Sequence, residues 1–287
     1  MKNVLRTLIY GEQISLTLLD ATQTVNEAIR LHALSRPAAI LLGKTLAVMT
    51  YMSACLKEKT GEVSVSVKGN GAGGGVCVSG DYALHLRGYI EDAHVPSVAG
   101  ETDEEAELRC LGRSGTLTIV RDNGYSRPFV GACAFPAAGG VDEAFEEYYR
   151  VSEQLPTHIA SEVRLDESGA CAFAGAAVLQ PLPFADAETL ERLPSRARLK
   201  KITGEISSLG LKKCAEIHFS AKEELLNVRE AAYKCHCSKE YLAGVLVSLG
   251  KAQLEDILKT DGKIEVHCHY CNKDYRFTQE DVEKLFP

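Results

Sequence analysis

The sequence has no excess of positive charge. Its 287 residues include 32 Lys and Arg against 39 Asp and Glu, which gives a formal net charge of -7. A protein that binds nucleic acid usually presents a basic face that supplies its affinity for phosphate. The composition therefore argues against a nucleic-acid-binding protein, and its 45% apolar and 25% charged residues are typical of a globular one.

The sequence also lacks a recognisable targeting signal. Residues 1–10 contain no apolar stretch that ends at a small-residue cleavage site, so we expect a cytoplasmic protein. The segment from Ala38 to Leu56 approaches the length of a membrane span, which requires about 20 apolar residues. Because Lys44 interrupts it and Pro37 suits a first helical turn, the sequence predicts a buried helix and no membrane contact.

Motifs of common catalytic sites are absent. The sequence contains no G-x-S-x-G, no H-E-x-x-H and no phosphate loop ending in Gly-Lys-Ser/Thr. Gly69, Gly71 and Gly74 have the spacing of a dinucleotide loop, but such a loop needs a helix at its third glycine. The segment Val76–Val78 instead predicts a strand, so we expect a flexible hairpin loop and a protein that is not an enzyme.

The local patterns predict an α+β protein in three parts. Residues 1–178 read as a large core domain of mixed helices and strands. Residues 179–226 combine prolines with dense charge and read as a metastable helical linker, with candidate helices at Ala187–Leu193 and Lys222–Arg229. Residues 227–287 predict a small domain of short helices and a β-hairpin, and Thr278–Asp281 resembles a capping box that starts its last helix.

The distribution of the ten cysteines separates six from four. A cytoplasmic protein keeps its thiols reduced, so a structural disulfide framework is not expected. Six cysteines are isolated among mostly apolar neighbours and read as small buried side chains. They are Cys55, Cys77, Cys110, Cys133, Cys171 and Cys214.

The remaining four cysteines have the spacing of a zinc site. Cys235 and Cys237 form a C-x-C pair whose side chains share one side of an extended chain. Cys268 and Cys271 form a C-x-x-C pair at a predicted hairpin turn. Zinc prefers four thiolates in a tetrahedron, commonly supplied by two such pairs. The sequence therefore predicts that residues 227–287 are a zinc-binding domain with one Zn²⁺ per chain.

Several alternatives for this cluster stay open on chemistry alone. A histidine beside the thiols could replace one ligand; the candidates are His236, His267 and His269. The site could also be purely structural. A C-x-C disulfide, however, closes a small strained ring that is easily reduced, and zinc holds its sulfurs as the thiolates that oxidants attack. The residues thus support a static site and a redox switch equally.

Further segments carry a resemblance to a known family. Tyr233–Glu240, Glu265–Asn272 and Tyr275–Phe277, with Phe129–Gly131 and Tyr149–Pro156 in the first domain, are similar to the heat-shock protein 33 family of redox-regulated bacterial holdase chaperones. The similarity spans nearly the whole chain, and the order and spacing of the cysteines agree with that family's metal domain.

The resemblance implies a function and a state for each cysteine. It implies that Cys235, Cys237, Cys268 and Cys271 bind zinc in a reduced, inactive protein. It further implies that oxidation forms disulfides Cys235–Cys237 and Cys268–Cys271, releases zinc, unfolds the linker and favours a homodimer. The activated protein would bind unfolded clients without ATP under oxidative stress.

Two other classes of protein compete with this interpretation. A zinc-ribbon nucleic-acid-binding protein would need a positive field, but residues 227–287 hold nine Lys and Arg against ten Asp and Glu. A thiol oxidoreductase could use Cys268 and Cys271, but its C-x-x-C would sit at the start of a helix rather than between two strands.

Overall fold

The chain forms two units. The structure, a computed structural model, describes residues 2–137 and 139–286. The units are Met1–Tyr233 and Lys234–Pro287. Each contains helices and antiparallel strands, which confirms the predicted α+β class. Residues 179–226 belong to the first unit by their contacts, and the division into three parts stays a prediction.

The first unit combines two sheets with seven α-helices in its described part. Its strands are β1 (Val4–Ile9), β2 (Ile14–Asp20), β3 (Glu62–Gly69), β4 (Gly75–Asp81), β5 (His85–Ile90), β6 (Gly115–Asp122), β7 (Phe129–Ala134), β8 (His158–Leu165), β9 (Cys171–Pro181), β10 (Asn227–Arg229) and β11 (Ala232–Tyr233). Its α-helices are α1 (Thr22–His32), α2 (Arg36–Ala54), α3 (Asp103–Leu111), α4 (Val141–Tyr148), α5 (Ala187–Glu191), α6 (Arg196–Leu209) and α7 (Leu211–Phe219). A π-helical turn at Tyr149–Glu153 and a 3-10 turn at Glu223–Leu225 complete the set.

The five-stranded sheet has two apolar faces. Its order is β10-β1-β2-β9-β8, and every neighbouring pair is antiparallel. Side chains alternate between the faces along each strand. In β9, Ala176 and Val178 enter the central core, whereas Ala177 and Leu179 enter a second apolar cluster on the outer face. Both faces must therefore be covered.

Helix α2 fills the core between the two sheets. Every residue from Pro37 to Ala54 is buried, and the helix contacts strands of both sheets. Its length and composition would also suit a membrane span, but its complete burial marks it as a core helix. The helix predicted over Ala38 to Leu56 is thus confirmed. Its one lysine, Lys44, donates to Glu107 of α3 at 2.6 Å, so the buried charge is paired.

The six-stranded sheet has the order β11-β5-β4-β3-β6-β7, and β11 alone among its described strands pairs in parallel. The glycine-rich loop between β3 and β4 lies against the end of α3, where the N–H of Gly73 donates to the Cys110 carbonyl at 2.8 Å. A Cβ on Gly69 would lie 1.7 Å from the Leu111 oxygen, so this close approach requires glycine. The predicted hairpin is confirmed, but the expected flexibility is wrong because the loop is held by α3.

Helices α6 and α7 cover the outer face of the five-stranded sheet. Leu199, Ile202 and Ile206 recur along one side of α6 and are buried in the outer apolar cluster. The Thr203 hydroxyl in the same row donates to the Ala160 carbonyl of β8 at 3.0 Å. Helix α7 contributes Phe219 to the same cluster. The segment predicted as a linker therefore shields one whole apolar face.

The predicted helices of this segment are correct in one case and wrong in the other. Helix α5 confirms the helix expected at Ala187–Leu193. The helix expected over Lys222–Arg229 is wrong, because this stretch forms a 3-10 turn followed by β10. Strand β10 pairs antiparallel with β1, with Val228 opposite Leu5, so pairing with the sheet overrides the weak local helical pattern.

The second unit is built around a β-hairpin. It contains α8 (Lys239–Val247), α9 (Lys251–Asp261), β12 (Ile264–Cys268), β13 (Lys273–Phe277) and α10 (Gln279–Leu285). Its small core consists of Leu246, Leu254, Leu258, Ile264, Phe277 and Val282. The predicted capping box at the start of α10 is present: Thr278 N–H donates to Asp281, and Asp281 N–H donates to the Thr278 hydroxyl. With six side chains in the core, this unit buries little apolar surface.

Candidate metal centre

One half of the site is the turn of the β12–β13 hairpin. Cys268 ends β12, and its carbonyl accepts hydrogen bonds from the N–H groups of Cys271 at 3.3 Å and Asn272 at 2.8 Å. Asn272 has a left-handed backbone with φ of 56°, a conformation that asparagine tolerates better than most residues. This tight turn brings the sulfurs of the C-x-x-C pair to the same side.

The other half is the extended segment that leads into α8. Cys235 and Cys237 lie just before Ser238, whose hydroxyl accepts a hydrogen bond from the Tyr241 N–H at 3.1 Å and caps the helix. The cap fixes the point at which the extended chain becomes helical. It therefore places the C-x-C sulfurs at the start of α8.

The four sulfurs converge as the sequence predicts. All lie within 4.8 Å of one another. The Cys235–Cys237, Cys237–Cys271 and Cys235–Cys268 sulfur distances are 3.2, 3.1 and 3.7 Å. Four sulfurs about 2.3 Å from one zinc ion would be roughly 3.8 Å apart, so the cluster has the size of a four-thiolate site. The four cysteines are thus positioned to bind a metal ion.

The thiols of the cluster differ in their protonation. Burial raises the pKa of Cys237, but hydrogen bonds from the Tyr275 hydroxyl and the neighbouring thiols outweigh it and bring that pKa down to about 7. Burial raises the pKa of Cys235 to about 11, and it also raises that of Cys271. A bound cation would favour the thiolate form of every sulfur in the cluster.

The six other cysteines are apart from this cluster. Cys110, Cys133, Cys171 and Cys214 are buried, and Cys55 and Cys77 are half-buried. Burial raises the pKa of Cys110 and of Cys171 to about 12, which keeps these thiols protonated and unreactive. Their predicted role as small buried side chains fits these surroundings.

Among the described residues, the neighbouring histidines contribute no ligand atom to the four-sulfur group. His267 is paired with Asp274 across the hairpin, with Nδ1 2.7 Å from Oδ1, and its ring lies 5.1 Å from that of His269. In the described chain the group at this position consists of four thiols, without His236, His267 or His269. The geometry therefore favours the all-sulfur set over the alternative with a histidine ligand.

Sequence reasoning missed Tyr275. Its hydroxyl oxygen lies 3.2 Å from the Cys237 sulfur and 3.3 Å from the Cys237 carbonyl oxygen, so its one proton is shared between these two acceptors. The alternation of Tyr275 with Phe277 predicts only a strand. The contact arises because the hairpin and the C-x-C segment meet. The two cysteine pairs predict that meeting, but they do not indicate which other side chain lies beside the sulfurs.

The hairpin context does not suit a thiol oxidoreductase. Cys271 is followed by strand β13, whereas an activated C-x-x-C cysteine of the thioredoxin type lies at the start of a helix. The structure thus lacks, in the residues it describes around Cys268 and Cys271, the helix that such chemistry uses to stabilise a thiolate.

Comparisons with known proteins agree with this arrangement. The family model described as Hsp33 protein matches residues 2–278. The 33 kDa chaperonin of Bacillus mycoides is 31% identical to the chain, and the alignment covers 99% of both proteins. The 33 kDa chaperonin of Bacillus pumilus is 30% identical, over 99% of this chain and 98% of that protein. The crystal structure of the 33 kDa chaperonin (heat shock protein 33 homologue) of Thermotoga maritima superimposes with a TM-score of 0.83 at 28% identity, over 99% of this chain and 97% of that one. The chain belongs to the Hsp33 family of chaperones.

Proposed function

We propose that this protein is a redox-regulated, ATP-independent holdase of the cytoplasm. In this proposal Cys235, Cys237, Cys268 and Cys271 hold one Zn²⁺ in the reduced, inactive protein. Oxidation of these four residues during oxidative stress releases the metal and activates binding of unfolded proteins, with a homodimer as the active form. The protein performs no catalysis in this role.

The convergence of four thiols from two distant segments carries the proposal. Each disulfide forms when two thiols lose two electrons and two protons, which hydrogen peroxide accepts to leave as two waters. Oxidation removes the thiolate donors, so the cluster can no longer bind a metal ion. The family resemblance supports the pairings Cys235–Cys237 and Cys268–Cys271.

The small core of the second unit links metal binding to its folding. Metal binding contributes on the order of 10 kcal/mol or more to the folding of small zinc domains. The gain from burying six apolar side chains is offset by the conformational entropy of ordering the unit, about 1.5 kcal/mol per residue, so the apolar core alone leaves little net stability. We therefore expect the second unit to unfold when its cysteines are oxidised.

Chain connectivity then transmits the change to the outer apolar face. Cys235 is separated from α7 by the 3-10 turn and by β10 and β11, strands of only three and two residues. Short edge strands are weakly held, so unfolding of the neighbouring segment favours their loss. Release of α7 and α6 would expose the apolar face that Leu5, Leu16 and Leu18 provide, which is a surface for unfolded chains.

A metal and thiol measurement tests this proposal. We expect one zinc per reduced chain, loss of that zinc after peroxide, and loss of four thiols, with the disulfides mapped by mass spectrometry of peptides. Loss of a group that hydrogen-bonds to a metal ligand weakens metal binding by roughly 10- to 100-fold. Cys235→Ser and Cys271→Ser each remove a ligand, so each should weaken zinc binding by more than that. Cys77→Ser is the matched control, because Cys77 is half-buried and lies opposite Ser66 in β3. Full zinc occupancy in Cys271→Ser would overturn the ligand assignment.

A further inference from the structure

The sheet edges of the first unit are protected unequally. Strands β10 and β11 form two of the edges and are very short. Strand β8 forms a third, and its free N–H groups are bound by carboxylates of α4. Ile159 N–H donates to Glu146 at 2.7 Å, and Ser161 N–H donates to Asp142 at 2.9 Å. The fourth edge is β7, which has six residues.

The backbone of β7 presents unpaired groups on its outer side. Phe135 N–H donates to the Gly115 carbonyl at 3.3 Å, and alternate residues of an antiparallel pair exchange such bonds. With the register Cys133 opposite Leu117, the residues of β7 that bond to β6 are Phe129, Gly131 and Cys133. The N–H and C=O groups of Val130, Ala132 and Ala134 therefore point away from β6. They have no hydrogen-bond partner in the part of the chain that the structure describes.

The composition of β7 leaves this edge open to pairing. Exposed edges of natural sheets are usually blocked by charged side chains, proline or bulges. The segment Phe129–Ala134 contains no charged residue and no proline, and Phe129 and Val130 are 52% and 60% exposed. Its inner face is closed by Tyr148, whose ring would lie 2.9 Å from a Cβ on Gly131. Tyr148 thus packs against the inner face of the strand, while the outer edge of the strand stays accessible.

We propose that the β7 edge binds an extended apolar segment of an unfolded polypeptide by adding it as a seventh strand. The inference rests on the proposed holdase function, which supplies unfolded chains as partners. Main-chain hydrogen bonds to Val130, Ala132 and Ala134 recognise any extended chain that lacks proline, whatever its sequence. The small side chains of Ala132 and Ala134 leave space for large side chains of the incoming strand.

A second copy of β7 is a poorer occupant of this edge. Two antiparallel copies would meet along about 20 Å, and three of the six residues that each copy contributes are alanine or glycine. A stable dimer buries about 1,600 Å² with an apolar centre, which this strip does not supply. An unfolded client brings its own large apolar side chains, so the β7 edge suits a client better than a copy.

The edge acts together with the outer face of the five-stranded sheet. β7 belongs to the six-stranded sheet and is accessible while α6 and α7 are docked. A single added strand is held weakly, so β7 alone does not retain a client. After oxidation it adds a second point of attachment, which raises the overall affinity for a chain long enough to reach both.

The test uses the oxidised full-length protein and reduced, carboxymethylated α-lactalbumin as an unfolded probe. Ala132→Pro removes an outward N–H without breaking a bond to β6, because edge strands accept proline where the N–H faces solvent. We expect the Kd for the probe to rise at least fivefold, while Glu167→Pro, which places a proline in the exposed turn between β8 and β9, stays within twofold of wild type. Val130→Lys should act like the proline, with Thr118→Lys on the neighbouring β6 as control for the added charge. Equal affinity of all four variants and wild type would overturn the proposal.

Amide hydrogen exchange provides the direct readout. The N–H groups of Val130, Ala132 and Ala134 should exchange quickly in the free protein and slowly with the probe. Protection that appears without probe and grows with protein concentration would mean pairing between copies, which also overturns the proposal. If oxidation fails to raise probe binding by wild type, the holdase function itself fails. If oxidation raises it equally in wild type and Ala132→Pro, only the role of the edge fails.

Discussion

Tyr275 contacts the metal centre without being one of its four thiols. Its hydroxyl lies 3.2 Å from the Cys237 sulfur, where it stabilises negative charge on that atom. Tyr275→Phe should weaken zinc binding by about 10-fold and speed the loss of zinc in peroxide, since the sulfur loses a hydrogen bond. Zinc release followed with a chromogenic chelator measures both effects. Tyr241→Phe, on an exposed position of α8, is the control, and equal release rates in the two variants would contradict this role.

Asp142 gives the first unit a pH-dependent stability. Burial raises its pKa to about 7, although Lys44 and two hydrogen bonds from Ser161 act in the opposite direction. Because this pKa lies above that of an unfolded chain, near 3.9, the folded state binds the proton more tightly. The contribution of Asp142 to stability is therefore greatest at low pH and is lost as the pH rises to about 7.

Asp142→Asn should remove this dependence. When the pH is raised from 5 to 8, the free energy of unfolding of wild type should decrease more than that of the variant. The difference should be about 1.4 kcal/mol or more, the equivalent of one pKa unit. Urea unfolding of the two reduced, zinc-loaded proteins at both pH values isolates the effect, because all other titrating groups are shared. Parallel pH profiles would show that Asp142 ionises normally in the folded protein.

At the residue scale, the sequence predicted the clustering of the four cysteines better than their surroundings. Close spacing alone groups Cys235 with Cys237, two positions apart, and Cys268 with Cys271, three positions apart, because residues this close in sequence remain near in space. The contact between Tyr275 and Cys237 depends on the meeting of two segments 38 positions apart. The cysteine pairs predict that the two segments meet, but local patterns do not indicate which other side chains come into contact there.

Helix α6 is held to the sheet mainly by apolar contacts. Leu199, Ile202 and Ile206 are nearly fully buried, and burial of one such side chain contributes about 1.5–3 kcal/mol. Arg196 also pairs with Glu143 and Glu146 of α4, but ion pairs this exposed contribute at most about 1 kcal/mol. The apolar row therefore decides whether the helix stays docked.

Ile202→Glu should release α6 without oxidation. Burying an unpaired carboxylate costs more free energy than the burial of Ile202 contributed. We therefore expect the helix to undock while the zinc site stays loaded. The reduced variant should lose amide protection across α6 and suppress client aggregation. Ser208→Glu adds the same charge on an exposed position of α6 and should behave as wild type. Full protection of α6 in Ile202→Glu would contradict this account of docking.

At the element scale, strongly patterned segments were predicted and weakly patterned ones were not. The long apolar run of α2 and the capping box of α10 are visible in the sequence. Helices α6 and α7 present only a narrow apolar stripe among charged residues, so their stability comes from the sheet rather than from their own pattern. The local pattern of β10 predicts a helix, and only its pairing with β1 makes it a strand.

Across the whole molecule, the two units differ in the size of their apolar cores. The first unit has a core that continues through α2 and both sheets, whereas the second has six buried apolar side chains in its cluster. The sequence indicated this contrast through the long apolar segments before residue 179 and the clustered cysteines after residue 234. It did not indicate that the intervening helices close an apolar face, because that depends on tertiary contacts.

Suppression of client aggregation by one preparation in two redox states tests the central claim most directly. The zinc-loaded, reduced protein is compared with the same protein after peroxide and mild heating, without ATP, with a thermally unfolding enzyme as client. The account predicts that the reduced protein leaves aggregation nearly unchanged and that the oxidised, zinc-free protein suppresses it at about equimolar amounts. Equal protection by the reduced and oxidised forms would contradict it, because the four cysteines would then serve only as a scaffold.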